Sequence, residues 1–252
     1  GNLLRMIDAK GHDTGYFVNA LNQVVRERSR QVVDGSGIRY RRDTFYDEND
    51  NVVEVEISNL DHDGVPYGNA ELTSTTQYDI LNHPILVTEE VDETHNVVTE
   101  YQYDGNRNRT LARFGEATNG TQPANVVRTL YDERDLPYRT IRGEGDPDQS
   151  STQYDYDENQ NLVLLIQGLE GTPRVLTSSY DGYDRIVGTV DAMGNATERH
   201  YDENGNLTLE KVFGELFNEA GSAANVRLSD VAYTYDEMDR RTRTDVAHFD
   251  PA

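Results

Sequence analysis

The chain of 252 residues contains no cysteine and no tryptophan. Lack of cysteine removes in one step a disulfide framework, a Cys-ligated zinc site and a Cys nucleophile, although it leaves the compartment open. Lysine is almost missing too: only Lys10 and Lys211 occur, so the positive charge is nearly all arginine, whose planar fork pairs well with carboxylates on a crowded surface. Basic residues number 23 against 46 acidic ones, and the formal charge of -23 repels nucleic-acid phosphates and anionic membranes. No nucleic-acid partner and no membrane insertion are expected of this segment. No run approaches the roughly 18 apolar residues of a membrane span. The opening "GNLLRMIDAKGHD" lacks the charged-then-apolar layout of a signal peptide, so any export signal is expected outside the segment. Apolar residues are scarce as well, at 35%. Counting glycine instead of tyrosine gives about 37%, against ~45–50% in ordinary globular domains, so a thick two-sided core is not expected.

What the chain does have is self-similarity. Aligned on Tyr-Asp, it reads "YDENDNV" from Tyr46-Asp47, "YDILNHP" from Tyr78-Asp79, "YDGNRNR" from Tyr103-Asp104 and "YDERDLP" from Tyr131-Asp132. It continues with "YDENQNL" from Tyr156-Asp157, "YDGYDRI" from Tyr180-Asp181, "YDENGNL" from Tyr201-Asp202 with Gly205 and Asn206, and "YDEMDRR" from Tyr235-Asp236. "YFVNALNQVV" from Tyr16 reads as a degenerate earlier copy. A second phrase, "DAMGNAT" from Asp191, returns as "DAKGHDT" from Asp8 and "DETHNVVT" from Asp92. The stretches between phrases are short, rich in Thr, Val, Leu and Tyr, and roughly alternate in polarity, which is the period of a half-buried strand. Each repeat is therefore expected to be strand, turn, strand, turn. The fifth position of the Tyr-Asp phrase holds Asp50, Asn82, Arg107, Asp135, Gln160, Asp184, Gly205 and Asp239. Gly, Asn and Asp tolerate a left-handed backbone, which leaves Arg107 and Gln160 as poorer fits. Tyrosine suits a thin layer, since its ring covers apolar area while its hydroxyl reaches a polar partner. One hairpin cannot bury its own face and must lean on the next.

These coupled Tyr-Asp and Asp-x-x-Gly-Asn phrases resemble the RHS/YD-repeat family, which includes bacterial polymorphic toxins, the C components of Tc toxins, wall-associated proteins and animal teneurins. The resemblance covers essentially the whole chain. It implies an all-β fold in which tandem YD-repeat β-hairpins form a long curved antiparallel sheet, part of a spiral hollow shell. It also implies one array over residues 1–252, truncated at both ends and continued by flanking repeats of the parent chain. The family's self-cleaving core carries an Asp-Pro-x-Gly-Leu motif. Neither Asp146-Pro147-Asp148 nor Asp250-Pro251-Ala252 continues that way, so no autoprotease is expected.

Catalysis finds no foothold in the sequence. Of the six histidines, His12, His83 and His95 fall in turn phrases, His200 precedes Tyr201 in a strand, and none, His62 and His248 included, sits in a nucleophile or metal pattern. Carboxylates are so numerous that a paired-acid argument discriminates nothing. "NLDHDGVPYGNA" copies the first half of a calcium loop with Asn59, Asp61, Asp63 and Gly64, but position twelve is Ala70 where a bidentate Glu belongs. It reads instead as an acidic insertion loop. Two further insertions, from Phe114 and from Phe213, share a Phe-Gly-Glu opening and an Ala-Asn-Val-Arg close, and read as decorations of hairpin tips. The expectation is a noncatalytic structural segment, without cofactor or metal, of a large exported bacterial protein. The resemblance implies that such a shell encloses a C-terminal toxin or effector, at the cell surface or outside it. The alternative is a repeat module that binds surface glycans through Tyr and Asp.

Overall fold

The computed structural model describes residues 4–11, 13–31, 38–214 and 226–248. It is all-β: nineteen strands and a single helical turn lie among the described residues. The chain divides into two compact units, residues 1–128 and 129–252. The first contains β1 (Arg5–Ile7), β2 (Asp13–Val18), β3 (Val24–Gln31), β4 (Arg39–Tyr46), β5 (Val52–Leu60), β6 (Pro66–Tyr78), β7 (Pro84–Asp92), β8 (His95–Tyr103) and β9 (Arg109–Phe114). After α1 (Glu116–Asn119) comes β10 (Val126–Tyr131), which crosses the division. The second unit holds β11 (Pro137–Arg142), β12 (Ser150–Tyr156), β13 (Leu162–Gln167), β14 (Arg174–Tyr180), β15 (Ile186–Val190), β16 (Ala196–Tyr201), β17 (Leu207–Gly214), β18 (Val226–Tyr235) and β19 (Arg241–His248).

Within each unit every strand pairs antiparallel with the next in sequence, so each unit is a meander of hairpins. Each recurrent tyrosine is the last residue of an even-numbered strand. A meander sends alternate connections to opposite ends of its strands, so in each unit all the Tyr-Asp turns share one end and the variable connections the other. The longest strand, β6, explains the long interval between Tyr46 and Tyr78. That interval holds no insertion loop: β5 and β6 are joined by a tight turn in which Gly64 N–H donates to the Asp61 carbonyl at 3.1 Å.

The layer is thin. Only Leu111, Ala112, Ala117, Val126, Asp43, Ser151 and Gly214 are buried among the described residues. The low apolar content is matched to such a sheet, whose strands are half-exposed along most of their length. The one local core lies under the insertion that follows Phe114. There α1 packs on β8 and β9, with Leu111, Ala117 and Val126 as its centre. This insertion is therefore a cover for the sheet as well as a connection. Most of the insertion after Phe213 lies outside the described residues.

The turn backbone is as the fifth-position residues demand. Asp50, Asn82, Arg107, Asp135, Gln160, Asp184 and Asp239 all have φ between 57° and 73°, and Gly205 has φ 91°. Arg107 and Gln160 adopt the same geometry without the side chain that favours it. Replacing either by glycine is expected to raise unfolding free energy by about 1 kcal/mol, and Gly205→Ala to lower it similarly. Urea melts of the three variants check the opposite signs.

Candidate functional site

The groups that recur are the Tyr-Asp pairs, and their bonding is the same from repeat to repeat. In each turn the Asp N–H donates to the carbonyl of the residue four further on, as Asp202 does to Asn206 at 3.0 Å. The left-handed residue donates back to the Asp carbonyl, as Gly205 does to Asp202 at 3.1 Å. One carboxylate oxygen then accepts two backbone N–H groups, those of Asn204 and Asn206 for Asp202. The other oxygen accepts the side chain four residues on: Asn51, His83, Asn108, Asn161, Arg185, Asn206 or Arg240. Leu136 occupies that position after Asp132 and has nothing to donate, so Arg134 fills the role at 3.0 Å. The carboxylate supplies in every turn the acceptors that a strand connection leaves wanting.

Hydrogen bonding also sets the charge state. All eight carboxyls are held below the usual range. The side chains of Asn51 and Arg185 contribute most at Asp47 and Asp181, and the backbone N–H groups of His83 and Arg240 at Asp79 and Asp236. At Asp104, Asp132, Asp157 and Asp202 loss of solvent pushes upward, and the donors around the turn overcome it.

Seven of the eight recurrent tyrosines link their repeat to the one before through hydroxyl bonds. A register shift falls immediately before Tyr46, Tyr78, Tyr103, Tyr156, Tyr180, Tyr201 and Tyr235. Such a bulge re-aims the side chain that follows it. The hydroxyls then donate to the carbonyls of Val24, Val52, Pro84, Pro137, Leu162, Ile186 and Leu207 at 2.9–3.1 Å, each the first residue after the preceding Tyr-Asp turn. A second set of bonds joins neighbouring turns. Asn159 and Asn161 donate to Asp184, and Asn204 and Asn206 to Asp239. In the first unit Gln23 donates to Asp50, and Asn49 and Asn51 to Asn82. At Asp50, Asn82, Asp184 and Asp239 the left-handed residue therefore serves twice, as a backbone hinge and as an acceptor for the previous turn. Periodicity revealed the first role; the second was hidden, because it depends on which turns become neighbours.

The structure corrects three alignments. The degenerate first copy is centred on Val18-Asn19, two residues beyond Tyr16. Asn19 accepts from Leu21 and Gln23, and Asn22 has φ 67°. An amide oxygen thus replaces the carboxylate. The calcium-like phrase is another copy of the turn, with Asp61 accepting from Asp63 and Val65 at 2.9 and 2.8 Å. Ligand atoms of Asp61, His62 and Asp63 lie within 4.8 Å of one another, but the Asp61 oxygen is spent on the turn, and His62 and Asp63 are exposed. "DETHN" departs from its phrase, since Asp92 and His95 are direct cross-strand partners, and the connection closes in two residues with no left-handed position.

Of the histidines read as turn residues, His83 is one and His95 is instead the first residue of β8. His83 Nδ1 donates to Asp79 at 3.1 Å and its ring stacks on Tyr103 at 4.8 Å, His95 bonds its cross-strand partner Asp92, and His200 faces Leu209 across the strands. His12 lies outside the described residues.

Spacing of identical bonds along a hairpin meander defines a repeat-built β architecture whose recurring polar groups are consumed in holding repeats together. Comparison with known proteins agrees with that class. No family model matches the chain, and no curated protein matches it. Among solved structures, a chain of the TcdB2-TccC3-Cdc42 crystal structure matches 97% of this chain with a TM-score of 0.58 at 12% identity. A chain of the Photorhabdus luminescens Tc holotoxin pore matches 97% with a TM-score of 0.57 at 13% identity. The present chain spans 14% of the length of each. At such identities the likeness is one of fold, and it is the fold of a Tc toxin segment.

Proposed function

We propose that this chain is a noncatalytic wall segment of a larger exported bacterial protein, in which flanking repeats complete a shell around a C-terminal toxin or effector. The observation that carries the reading is the bond from seven of the eight recurrent tyrosines to the preceding repeat: the groups that recur are spent on neighbours, as wall elements require. The fold likeness to Tc toxin chains supports the same reading. Stacking of sugars on the recurrent tyrosines is not favoured by any contact. Their hydroxyls are engaged, and the Tyr201 face carries the Arg185 guanidinium at 4.6 Å from the ring centre.

Limited proteolysis of the intact parent polypeptide tests the proposal. The segment following the repeats is expected to resist cleavage while the repeats are folded, and to be cut once urea opens them. Cleavage at the rate of the same segment expressed alone would sink the idea.

A further inference from the structure

Two adjacent strands depart from the acidic character of the chain. β3 and β4 carry Arg26, Arg28, Arg30, Arg39, Arg41 and Arg42 against only Glu27 and Asp43. Their register sets Arg28 directly opposite Arg41, a like-charge pair that costs stability in an antiparallel ladder. The next pair on the same face, Arg26 and Asp43, is an ion pair, and Asp43 is 4% exposed.

On either side of this step lies a cavity. One, of about 570 Å³, has apolar walls from Phe17, Leu21, Val25 and Phe45, with the Arg26–Asp43 pair beside them. Three of those walls are unusually bare for large apolar residues: Phe17 is 46% exposed, Phe45 44% and Leu21 71%. The second, of about 360 Å³, is lined by Arg28, Arg39, Arg41 and Glu71 among others. Arg28, on the wall of the second cavity, has its guanidinium 5.6 Å from the centre of the Phe17 ring on the wall of the first. Arg39 is spent on Asp13 and on the carbonyls of Asp13 and Ser29, and Arg41 on Asp43 and Glu71. The Arg28 side chain makes neither a hydrogen bond nor a salt bridge among the described residues, although its charge helps to hold the Asp43 carboxyl low.

We propose that this face of the first unit binds a small amphipathic anion, with its ring or short chain in the Phe17–Leu21–Phe45 cavity and its acidic head on Arg28. A cavity of this size, with apolar walls on one side and Asn19, Gln23, Thr44 and Asp47 on the other, suits a small organic ligand that keeps its acidic head away from Asp47. A guanidinium with unspent donors at its edge supplies a charge-assisted hold on an oxyanion. The charge of -23 opposes anions at long range, but at physiological ionic strength that repulsion is screened beyond about 8 Å, and the carboxylates nearest Arg28 are already paired, Asp43 with Arg26 and Arg41 and Glu71 with Arg41. The proposal is independent of the wall reading.

Anilinonaphthalene sulfonate is a suitable probe, with uncharged phenylnaphthylamine as its counterpart, titrated by fluorescence into the full 252-residue chain. Wild type is expected to bind the sulfonate at one saturable site, more tightly than the amine. Arg28→Gln is expected to weaken the sulfonate about tenfold, the loss of one charge-assisted bond, and to leave the amine unchanged. Phe17→Ala is expected to weaken both. Should its melting curve show that it does not fold, the exposed Leu21→Ser takes its place. Equal binding of the two probes, insensitive to Arg28→Gln, would leave only an apolar patch and overturn the proposal. Inorganic phosphate binding as tightly as the sulfonate would make the site one for bare oxyanions and overturn it too, as would the absence of saturable binding.

Discussion

Tyr201→Ala is expected to lower unfolding free energy by about 2–4 kcal/mol, the range for losing a large packed ring. The ring lies under Arg185, and its hydroxyl reaches the Ile186 carbonyl at 2.9 Å, so truncation removes the cover, the cation contact and the inter-repeat bond together. Tyr201→Phe keeps the ring and loses only the hydroxyl. Its expected cost is about 0.5–1.5 kcal/mol, the net value of one such bond. Because repeats stabilise their nearest neighbours, hydrogen exchange in the alanine variant should speed most in β15, β16 and β17 and least in β11. Urea melts of both variants, with exchange mapped strand by strand, test this. Equal stability of wild type and Tyr201→Ala would remove the packing role.

Acid is the second large perturbation. The eight turn carboxyls are held below their ordinary range, and the direction determines the sign. A group depressed on folding contributes stability that is fully present above its unfolded pKa, about 3.9 for Asp, and is lost as pH falls through its folded value. Asp92, held by the Thr94 backbone and His95, and Glu170, held by Ser151 and Gln149, titrate near about 2. The urea midpoint should therefore change little from pH 7 to about 5 and fall steeply below about 4, with the last of the loss near 2. Asp202→Asn should fold, since Asn19 makes the same turn with an amide oxygen, and it should be less acid-sensitive than wild type. A midpoint that rises steadily down to pH 2 would show that relief of charge repulsion outweighs the turn bonds.

The strand-and-turn order was legible in the sequence because its causes are local. A tyrosine, an aspartate, and a residue able to turn left-handed lie within five positions, and the bonds they make close within the same five. Even Arg107 and Gln160 could be placed by phase alone, against their own preference. The single layer followed from composition, since a chain so poor in apolar residues has little to bury in a second one. The misreadings came where local pattern was ambiguous. "NLDHDGV" carries ligand-like acids, yet the same aspartate chemistry makes a tight turn, and only the pairing of β5 with β6 decides between them.

Tertiary structure alone decided what each repeat holds on to. The tyrosine hydroxyls reach carbonyls 15 to 28 residues back, a separation that changes with every variable connection and so leaves no fixed spacing to read. The same holds for the turn-to-turn bonds of Asp184 and Asp239, and for Arg28, whose approach to Phe17 depends on the register of β2 and β3. The sequence by itself determined the repeated unit, because turn chemistry acts over neighbouring residues. Which units touch, and through which atoms, was settled by strand pairing, because a one-residue change of register moves a side chain to the other face.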